Sequence, residues 1–453
     1  MDIQLYNTLT RTKETFVPIK KGTLSMYHCG PTVYDTPHIG NYRTFVLNDV
    51  VRRVFEYNGY VVNQVMNITD VDDKTIRRSQ EEKVALPVVT QKYEALFLEG
   101  LAALNIRTPH HLLRATEYIP AMIELIERLI ATGHAYTADD GVYMSIEKVR
   151  EYGLLAHLDL SHETHATEHQ RIANDEYDKD NPRDFALWKF TSPADGDNSW
   201  AASFGAGRPG WHIECSAMSM NVLGPTIDIH TGGMDLIFPH HTNEIAQSES
   251  ATGKPFVHYW IHGAFMTVTD EKMAKSKGNF VKLETLQEHV ISPLAFRYWL
   301  LTAHYRSPIN FSFEAVQGAQ NALIRLMKAV SNLPVGGTVI SSYHDRFLSH
   351  VNDDLDMPRA VVLVWDILKD TTISEADKRA TLLDIDRVLG LKLGDLSPVE
   401  EEEIPEEIKA LADAREEARK EKDWAKADAL RQEIEARGFV VTDTKDGIKI
   451  VSA

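Results

Sequence analysis

The spacing of apolar residues in the first part of the chain predicts alternating strands and helices. A short strand is predicted at 24–29, and turn residues follow at 30–32. Apolar side chains then recur at helical spacing over 43–57, and a β-branched strand follows at 60–66. Strand, helix and strand in this order form a βαβ unit, which predicts a parallel sheet and an α/β fold.

The pattern then changes several times along the chain. Residues 84–135 read mainly as helices, and the polar, turn-rich stretch 136–200 interrupts the pattern. The sheet pattern returns at about 211–270, and helices are predicted at 283–392. The polar stretch is therefore interpreted as an insertion into the α/β domain.

A turn signal at 393–398 and an acidic run at 400–403 predict a solvated linker. One surface helix at 406–437 and a hairpin at 439–451 are expected after it. The predicted organisation is a Rossmann-like catalytic domain at 1–310 with an insertion near 115–200, a helical bundle at 311–395 and a small α+β domain at 400–453.

Composition narrows the range of functions. The 453 residues are 43% hydrophobic and carry a formal net charge of -18, which does not favour general nucleic-acid binding. No apolar run of about 18 residues predicts a membrane span. The first residues lack the pattern of a secretory signal, so a cytoplasmic protein is expected.

Two separated segments offer candidate phosphate-binding chemistry. The segment 38–41, His-Ile-Gly-Asn, lies at a predicted helix start, where free N–H groups favour phosphate. The segment 272–279 contains two lysines three residues apart, followed by serine and glycine, which suits a loop that binds triphosphate. Taken alone, either segment is also compatible with an ordinary turn or a solvated charged loop.

Together these segments resemble the HIGH and KMSKS signatures of class I aminoacyl-tRNA synthetases, with Asn41 replacing the last His and Ala274 replacing the first Ser. The resemblance implies formation of an aminoacyl-adenylate, with Mg2+ bound to the ATP. It gives the catalytic role to His38, Asn41, Lys272 and Lys275. The residues expected to bind ATP are Thr32, His38, Gly40, Asn41, Gly232, Gly233, Asp235, Lys272, Lys275 and Ser276. A plain glycine turn is the alternative for 232–235.

The only two cysteines, Cys29 and Cys215, are candidate metal ligands, although small buried hydrophobes are the simpler interpretation. His240 and Glu244 are spaced i, i+4, which places both on one face of a predicted helix. Two thiolates, an imidazole and a carboxylate form a set suited to Zn2+. His241 competes with His240, but it is expected to point away from Glu244.

Longer stretches resemble the cysteinyl-tRNA synthetase family in order and spacing, namely 26–35, 67–74, 184–189, 211–218 and 238–247. The resemblance implies one Zn2+ per chain, held by Cys29, Cys215, His240 and Glu244. It places Thr69, Trp211 and His230 along the amino-acid pocket. His28 and Thr231 depart from the family pattern, where an apolar residue and a glycine are usual.

The metal would distinguish the thiol of cysteine from the hydroxyl of serine. A pocket alone separates such analogues by only about 100-fold, whereas zinc prefers thiolate. An editing domain would then be unnecessary, and the polar insertion is short for one.

The C-terminal stretch 415–428 offers Arg, Lys and Trp424 for contacts with phosphates and bases. A charged surface helix anchored by Trp424 is the alternative. The resemblance implies an anticodon-binding domain, although the final hairpin lacks the tryptophan that the family has after Asp446-Gly447. The implied partners are tRNA(Cys), ATP and L-cysteine, without a membrane, and a monomer is expected.

The predicted function is therefore activation of L-cysteine by ATP and its transfer to tRNA(Cys). Three alternatives stay open. A ligase that attaches cysteine to an amino-sugar would not need residues 406–453. A non-catalytic RNA-binding paralogue is disfavoured by the intact His38 and the two lysines, and a synthetase for another amino acid by the ligand set.

Overall fold

The structure is a computed structural model that describes residues 2–158, 184–268, 271–272, 280–395, 405–421, 423–437, 439–444 and 447–452. The chain divides into two compact units, Met1–Leu393 and Gly394–Ala453. A further division of the first unit near residue 311 stays a prediction. None of the described helices is long and apolar enough to cross a membrane.

The strands are β1 (Gln4–Asn7), β2 (Thr12–Thr15), β3 (Thr23–His28), β4 (Val61–Ile68), β5 (His111–Arg114), β6 (Ala135–Thr137), β7 (Gly141–Met144), β8 (Phe185–Phe190), β9 (Gly207–Pro209), β10 (Ile227–Gly233), β11 (Val257–Gly263), β12 (Met266–Val268), β13 (Glu271–Lys272), β14 (Ile309–Phe311), β15 (Phe439–Thr444) and β16 (Gly447–Ser452).

The helices are α1 (Ile39–Tyr57), α2 (Asp73–Glu82), α3 (Leu86–Ala103), α4 (Ile119–Ala131), α5 (Trp211–Leu223), α6 (Thr242–Thr252), α7 (Leu283–Glu288), α8 (Pro293–Leu301), α9 (Phe313–Ser331), α10 (Ser341–Val351), α11 (Met357–Lys369), α12 (Glu375–Leu389), α13 (Glu406–Lys420) and α14 (Trp424–Ala436).

The centre of the first unit is a parallel sheet with the strand order β11-β10-β3-β4-β5. Helix α1 connects β3 to β4, as the βαβ pattern predicts. Side chains on successive positions of the middle strands are buried, which is typical of a sheet covered on both faces. The predicted parallel-sheet α/β fold is confirmed.

A buried ionic cluster ties α1 to the helices that follow the sheet. Asp49 accepts hydrogen bonds from Arg53 (2.7 Å) and Arg297 (2.6 Å), and Arg297 also donates to the Leu389 carbonyl at 2.7 Å. Burial favours the neutral carboxyl, but the two guanidinium groups outweigh it and hold the pKa of Asp49 below its ordinary value. The helix that carries the first candidate motif is thereby fixed to α8 and α12.

The polar stretch predicted as an insertion contains an antiparallel sheet of order β6-β7-β8-β9 between α4 and α5. Lys189 on β8 and Arg208 on β9 both pair with Asp73 at the start of α2. This sheet is therefore held against the stretch that follows β4.

The second unit differs from the single helix predicted at 406–437. The structure has two helices, α13 and α14, which pack together ahead of the β15–β16 hairpin. Folding back lets α13 and α14 bury Ile408, Ala412 and Ile434 in a core that they share with Val441 of β15. Trp424, considered as an anchor for the helix, is 59% exposed at the start of α14.

Candidate functional site

The carboxyl ends of the parallel strands gather the candidate residues at one edge of the sheet. Cys29 directly follows β3, Thr69 directly follows β4, and Gly233 ends β10. Ligand sites of open parallel sheets lie at this edge. A cavity of about 330 Å³ opens here, and its lining includes Cys29, Thr69 and Cys215.

Four predicted ligands converge at this edge. Ligand atoms of Cys29, Cys215, His240 and Glu244 all lie within 4.8 Å of one another. The two sulfur atoms are 3.8 Å apart, Cys29 Sγ lies 3.7 Å from Glu244 Oε1, and His240 Nε2 lies 3.0 Å from the same oxygen. The i, i+4 spacing of His240 and Glu244 thus places both side chains on one face of the helix, as predicted.

The expectation that His241 points away from this cluster is wrong. Its Nε2 lies 3.5 Å from Cys29 Sγ, and His241 belongs to a second possible set with Cys29, His230 and Glu244. The reason is helical geometry: His241 and Thr242 have helical dihedrals, and His241 is three residues before Glu244, so both side chains lie on one helix face. The two adjacent histidines therefore both face inward.

Neighbouring groups fix the orientation of the cluster. His212 Nδ1 lies 2.9 Å from His240 Nδ1, so the second nitrogen of His240 has a partner and Nε2 faces the cluster. His230 Nε2 lies 3.0 Å from Glu244 Oε2. Beyond them, His241 contacts His262, which in turn contacts Thr8 Oγ1, each at 2.8 Å. Such outer partners set the tautomer and direction of ligating side chains.

The cluster strongly perturbs its own acid–base equilibria. Burial raises the pKa of Cys29, whereas contacts with Cys29 and His240 outweigh burial and lower the pKa of Cys215 to about 6. Burial disfavours the imidazolium form of His240, but Cys215 and Glu244 outweigh it and raise its pKa to about 10. Burial likewise opposes ionisation of Glu244, but His230 and His240 lower its pKa to about 2.

The residues present fit a metal ion. His240 Nε2 is buried and, within the described residues, makes no hydrogen bond, although it is 3.0 Å from a carboxylate oxygen. Two thiols, an imidazole and a carboxylate crowded together in a buried site are costly unless a cation joins them. Two sulfurs, one nitrogen and one oxygen match the ligand types of tetrahedral Zn2+.

The nucleotide end of the cavity is built on the start of α1. His38 precedes this helix, and its backbone N–H donates to Asn41 Oδ1 at 3.2 Å. The Ile39 N–H donates to the Val281 carbonyl at 2.9 Å, and the His38 ring packs edge-on against Phe280 at 5.0 Å. The segment that follows the lysine-rich motif therefore contacts the HIGH-like turn directly.

Most predicted ATP-binding residues line this region. Those lining the 330 Å³ cavity are Thr32, His38, Asn41, Gly233 and Asp235, and Gly40 lines an adjoining cavity of about 90 Å³. Gly232 lines neither, and a Cβ there would lie 2.6 Å from the His241 ring, so this glycine makes room for the histidine. Lys272 is on β13, while Lys275 and Ser276 lie outside the described residues.

The three predicted pocket residues occupy different depths. Trp211 is 42% exposed and stacks on the His240 ring with centroids 4.1 Å apart. Thr69 is a buried residue in the cavity wall, and His230 is fully buried behind Glu244. Both Thr69 and Trp211 line the cavity, whereas His230 reaches it only through the metal cluster.

The departures at His28 and Thr231 are accommodated by hydrogen bonds. These residues pair across β3 and β10. The Gln64 side-chain nitrogen lies 3.0 Å from His28 Nε2, and Thr231 donates to Asn48 Oδ1 at 2.6 Å. Burial lowers the pKa of His28 to about 3, so it stays neutral. Neither departure removes a member of the cluster.

A larger cavity, of about 590 Å³, lies beside the part of α6 that carries Ile245 and Glu249. Its lining includes none of the predicted site residues. The chemistry described above is confined to the smaller cavity.

Comparisons with known proteins identify the family of the chain. The family model for the class I (C) tRNA synthetase catalytic domain matches residues 15–321, and that for the cysteinyl-tRNA ligase anticodon-binding domain matches 401–450. The Cysteine--tRNA ligase of Methanosarcina mazei is 44% identical, covering 99% of this chain and 98% of the relative. That of Chlamydia muridarum is 43% identical, covering 99% of both.

Solved structures share the fold at much lower identity. Mycobacterium tuberculosis methionyl-tRNA synthetase in complex with methionyl-adenylate has a TM-score of 0.55 at 16% identity, covering 82% of this chain and 90% of that one. LeuRS of Agrobacterium radiobacter in a ternary complex with tRNA and LeuAMS has a TM-score of 0.59 at 10% identity, covering 83% and 84%.

Proposed function

The chain belongs to the cysteinyl-tRNA synthetase family of class I aminoacyl-tRNA synthetases, and on this premise we propose how its site performs the reaction. The observation that carries the proposal is the shared cavity: Cys29 and Cys215 line it together with His38 and Asn41. An amino acid anchored at the cluster would have its carboxylate directed toward the nucleotide end.

Adenylate formation is assigned to the nucleotide end. The carboxylate oxygen of cysteine attacks the α-phosphorus of ATP, and the bond to pyrophosphate breaks. The positive end of the α1 dipole, together with His38 and Asn41, stabilises negative charge on the phosphates. Lys272 and Lys275 are proposed to neutralise the triphosphate, with Mg2+ accompanying ATP. Positioning and charge stabilisation supply the catalysis, without a general base.

Selection of cysteine is assigned to the metal end. We propose that Cys29, Cys215, His240 and Glu244 hold one Zn2+, with His212 and His230 directing two of these ligands. Zn2+ prefers thiolate to hydroxyl and would favour the deprotonated substrate sulfur. The side chains around it exclude water and hold the substrate beside the nucleotide end.

The second unit is proposed to bind the anticodon of tRNA(Cys). This follows the family match at 401–450 and the exposed Trp424, which can stack on a base. An amino-sugar ligase would not need this unit. Removing residues after 395 is expected to leave ATP–pyrophosphate exchange intact while charging of tRNA falls.

The deciding experiment measures ATP–pyrophosphate exchange with cysteine and with serine, followed by charging of total tRNA. Exchange that depends on cysteine, together with charging, is expected. The proposal fails if cysteine does not stimulate exchange. Exchange without charging would instead support the amino-sugar ligase.

A further inference from the structure

A buried glutamate beside the metal cluster has no role in the function described so far. Glu214, in the first turn of α5, is fully buried, and its Oε2 accepts a hydrogen bond from Thr69 Oγ1 at 2.8 Å. Its other oxygen is also buried and, in the part of the chain that the structure describes, makes no hydrogen bond. A buried carboxyl with one oxygen unsatisfied is expensive to maintain, so the residue calls for an explanation.

The hydrogen bonds of Thr69 determine what it can present to the cavity. A threonine hydroxyl has one proton to donate and two lone pairs to accept with. The proton is directed to Glu214, and one lone pair accepts from Asn67 Nδ2 at 3.2 Å. Asn67 is held in turn by its Oδ1, which accepts from the Gly30 N–H at 2.8 Å. The remaining lone pair of Thr69 is the only hydrogen-bonding capacity it can offer the cavity.

Because Glu214 accepts a hydrogen bond from the Thr69 hydroxyl, the hydroxyl can only accept a hydrogen bond from a ligand in the cavity. Burial and the neighbouring Cys215 raise the pKa of Glu214, but a proton on Oε1 would leave Oε2 able to accept from Thr69. Without an acceptor at Oε2, the hydroxyl proton would be free to rotate toward the cavity. The side chain of Glu214 does not line the cavity itself. It can therefore act on a ligand only through Thr69.

The substrate offers one matching group. Cysteine has a thiol, assigned to the metal, a carboxylate, which only accepts hydrogen bonds, and an ammonium group, which only donates. An acceptor beside Cys29 and Cys215 suits the ammonium group and disfavours the carboxylate. We propose that Glu214 is a positioning residue that, through Thr69, orients the α-ammonium group of the amino acid. This inference rests on the proposed function, since it takes cysteine as the substrate.

The test compares cysteine with 3-mercaptopropionic acid, which is cysteine without its amino group. Glu214→Met removes the acceptor, so the KM for cysteine in ATP–pyrophosphate exchange should rise roughly 10-fold, as for loss of one hydrogen bond to a charged group. The inhibition constant of mercaptopropionic acid, the KM for ATP, kcat and the zinc content should not change. Glu214→Gln retains an acceptor and should restore cysteine binding.

A double variant tests whether Glu214 acts through Thr69. Thr69→Val should raise the KM for cysteine, and adding Glu214→Met should cause little further loss, because both changes remove the same contact. If Glu214→Met does not fold, Glu214→Leu removes the same acceptor, and its effect with the two ligands is compared with that of Thr69→Val. Glu249→Met, which alters a glutamate on the separate cavity, is the matched control and should leave cysteine binding unchanged.

Equal losses for cysteine and mercaptopropionic acid would overturn the inference, because they would show a general disturbance of the pocket. An unchanged KM for cysteine in Glu214→Met or Thr69→Val would overturn it as well. These failures differ from failure of the proposed function, in which the unaltered protein itself would show no cysteine-dependent exchange.

Discussion

The two ends of the cavity are constructed in different ways. At the metal end, Cys215, His240 and Glu244 are almost fully buried. The partly buried His212 and the buried His230 hold His240 and Glu244 in place. At the nucleotide end, His38 is partly exposed, Asn41 is exposed, and the contacts come from backbone groups and from Phe280. One end is a closed polar network and the other is an open helix start.

This difference matches two different tasks. Separating a thiol from a hydroxyl requires ligand atoms held in fixed geometry, which buried and hydrogen-bonded side chains provide. Binding and releasing a nucleotide requires access, and helix N–H groups attract phosphate without enclosing it. Changes at the metal end should therefore alter selectivity, whereas changes at the nucleotide end should alter rate.

The largest effect is expected from Cys215→Ser. Loss of a thiolate should remove zinc, and discrimination against serine should fall toward the roughly 100-fold that a pocket without metal provides. Zinc content is measured by atomic absorption, and selectivity by exchange with the two amino acids. A variant that keeps both its zinc and its selectivity would contradict the ligand assignment.

Acid should weaken metal binding steeply. In the metal-free site, the raised pKa of Cys29 and the pKa of about 10 for His240 keep both protonated near neutral pH, whereas Cys215, with a pKa of about 6, is a thiolate. Zinc must displace the protons of both Cys29 and His240. Its apparent affinity should therefore fall about 100-fold per unit of decreasing pH between the pKa of His240, about 10, and that of Cys215, about 6.

Calorimetry checks this expectation, because about two protons released per zinc make the binding enthalpy depend on the ionisation enthalpy of the buffer. Titrations in two buffers at one pH should give different enthalpies. The same enthalpy in both buffers would show that the proton assignment is wrong.

Much of this site could be predicted from sequence because the signals are local. The strand before Cys29 and the helix after it follow from apolar spacing, and the i, i+4 separation aligned His240 with Glu244. The inward position of His241 could also have been predicted, because a residue three positions before Glu244 lies on the same helix face as Glu244.

Other features were missed for different reasons. The break between α13 and α14 falls in a run of charged residues without Gly or Pro, and its one local signal is Asp423, whose carboxylate accepts from the Lys426 N–H at 3.1 Å as an N-cap of α14. Glu214 is adjacent to a ligand in sequence, yet its contact with Thr69 joins residues 145 positions apart. The signal that could have found it is a carboxylate inside an otherwise apolar helical stretch.

At the nucleotide end, His38→Ala should lower kcat for exchange roughly 100-fold, as expected when one donor to a developing charge is removed. The KM for cysteine, the zinc content and the discrimination against serine should stay unchanged. Steady-state kinetics with both amino acids, together with metal analysis, separate these effects. Weaker discrimination against serine in His38→Ala would contradict the separate roles of the two ends.

The smallest effect is expected from an outer partner of the metal cluster. His212→Phe removes the group opposite His240 Nδ1, which lies 2.9 Å away, and frees the ligand to change tautomer. Loss of such a partner typically costs about 10-fold to 100-fold in metal affinity, and competition with a chelator measures the change. The control is His258→Phe, at an exposed position on β11, which should bind zinc normally. Equal zinc affinity in both variants would show that the other ligands alone orient His240. His212 would then not belong to the buried polar network of the metal end.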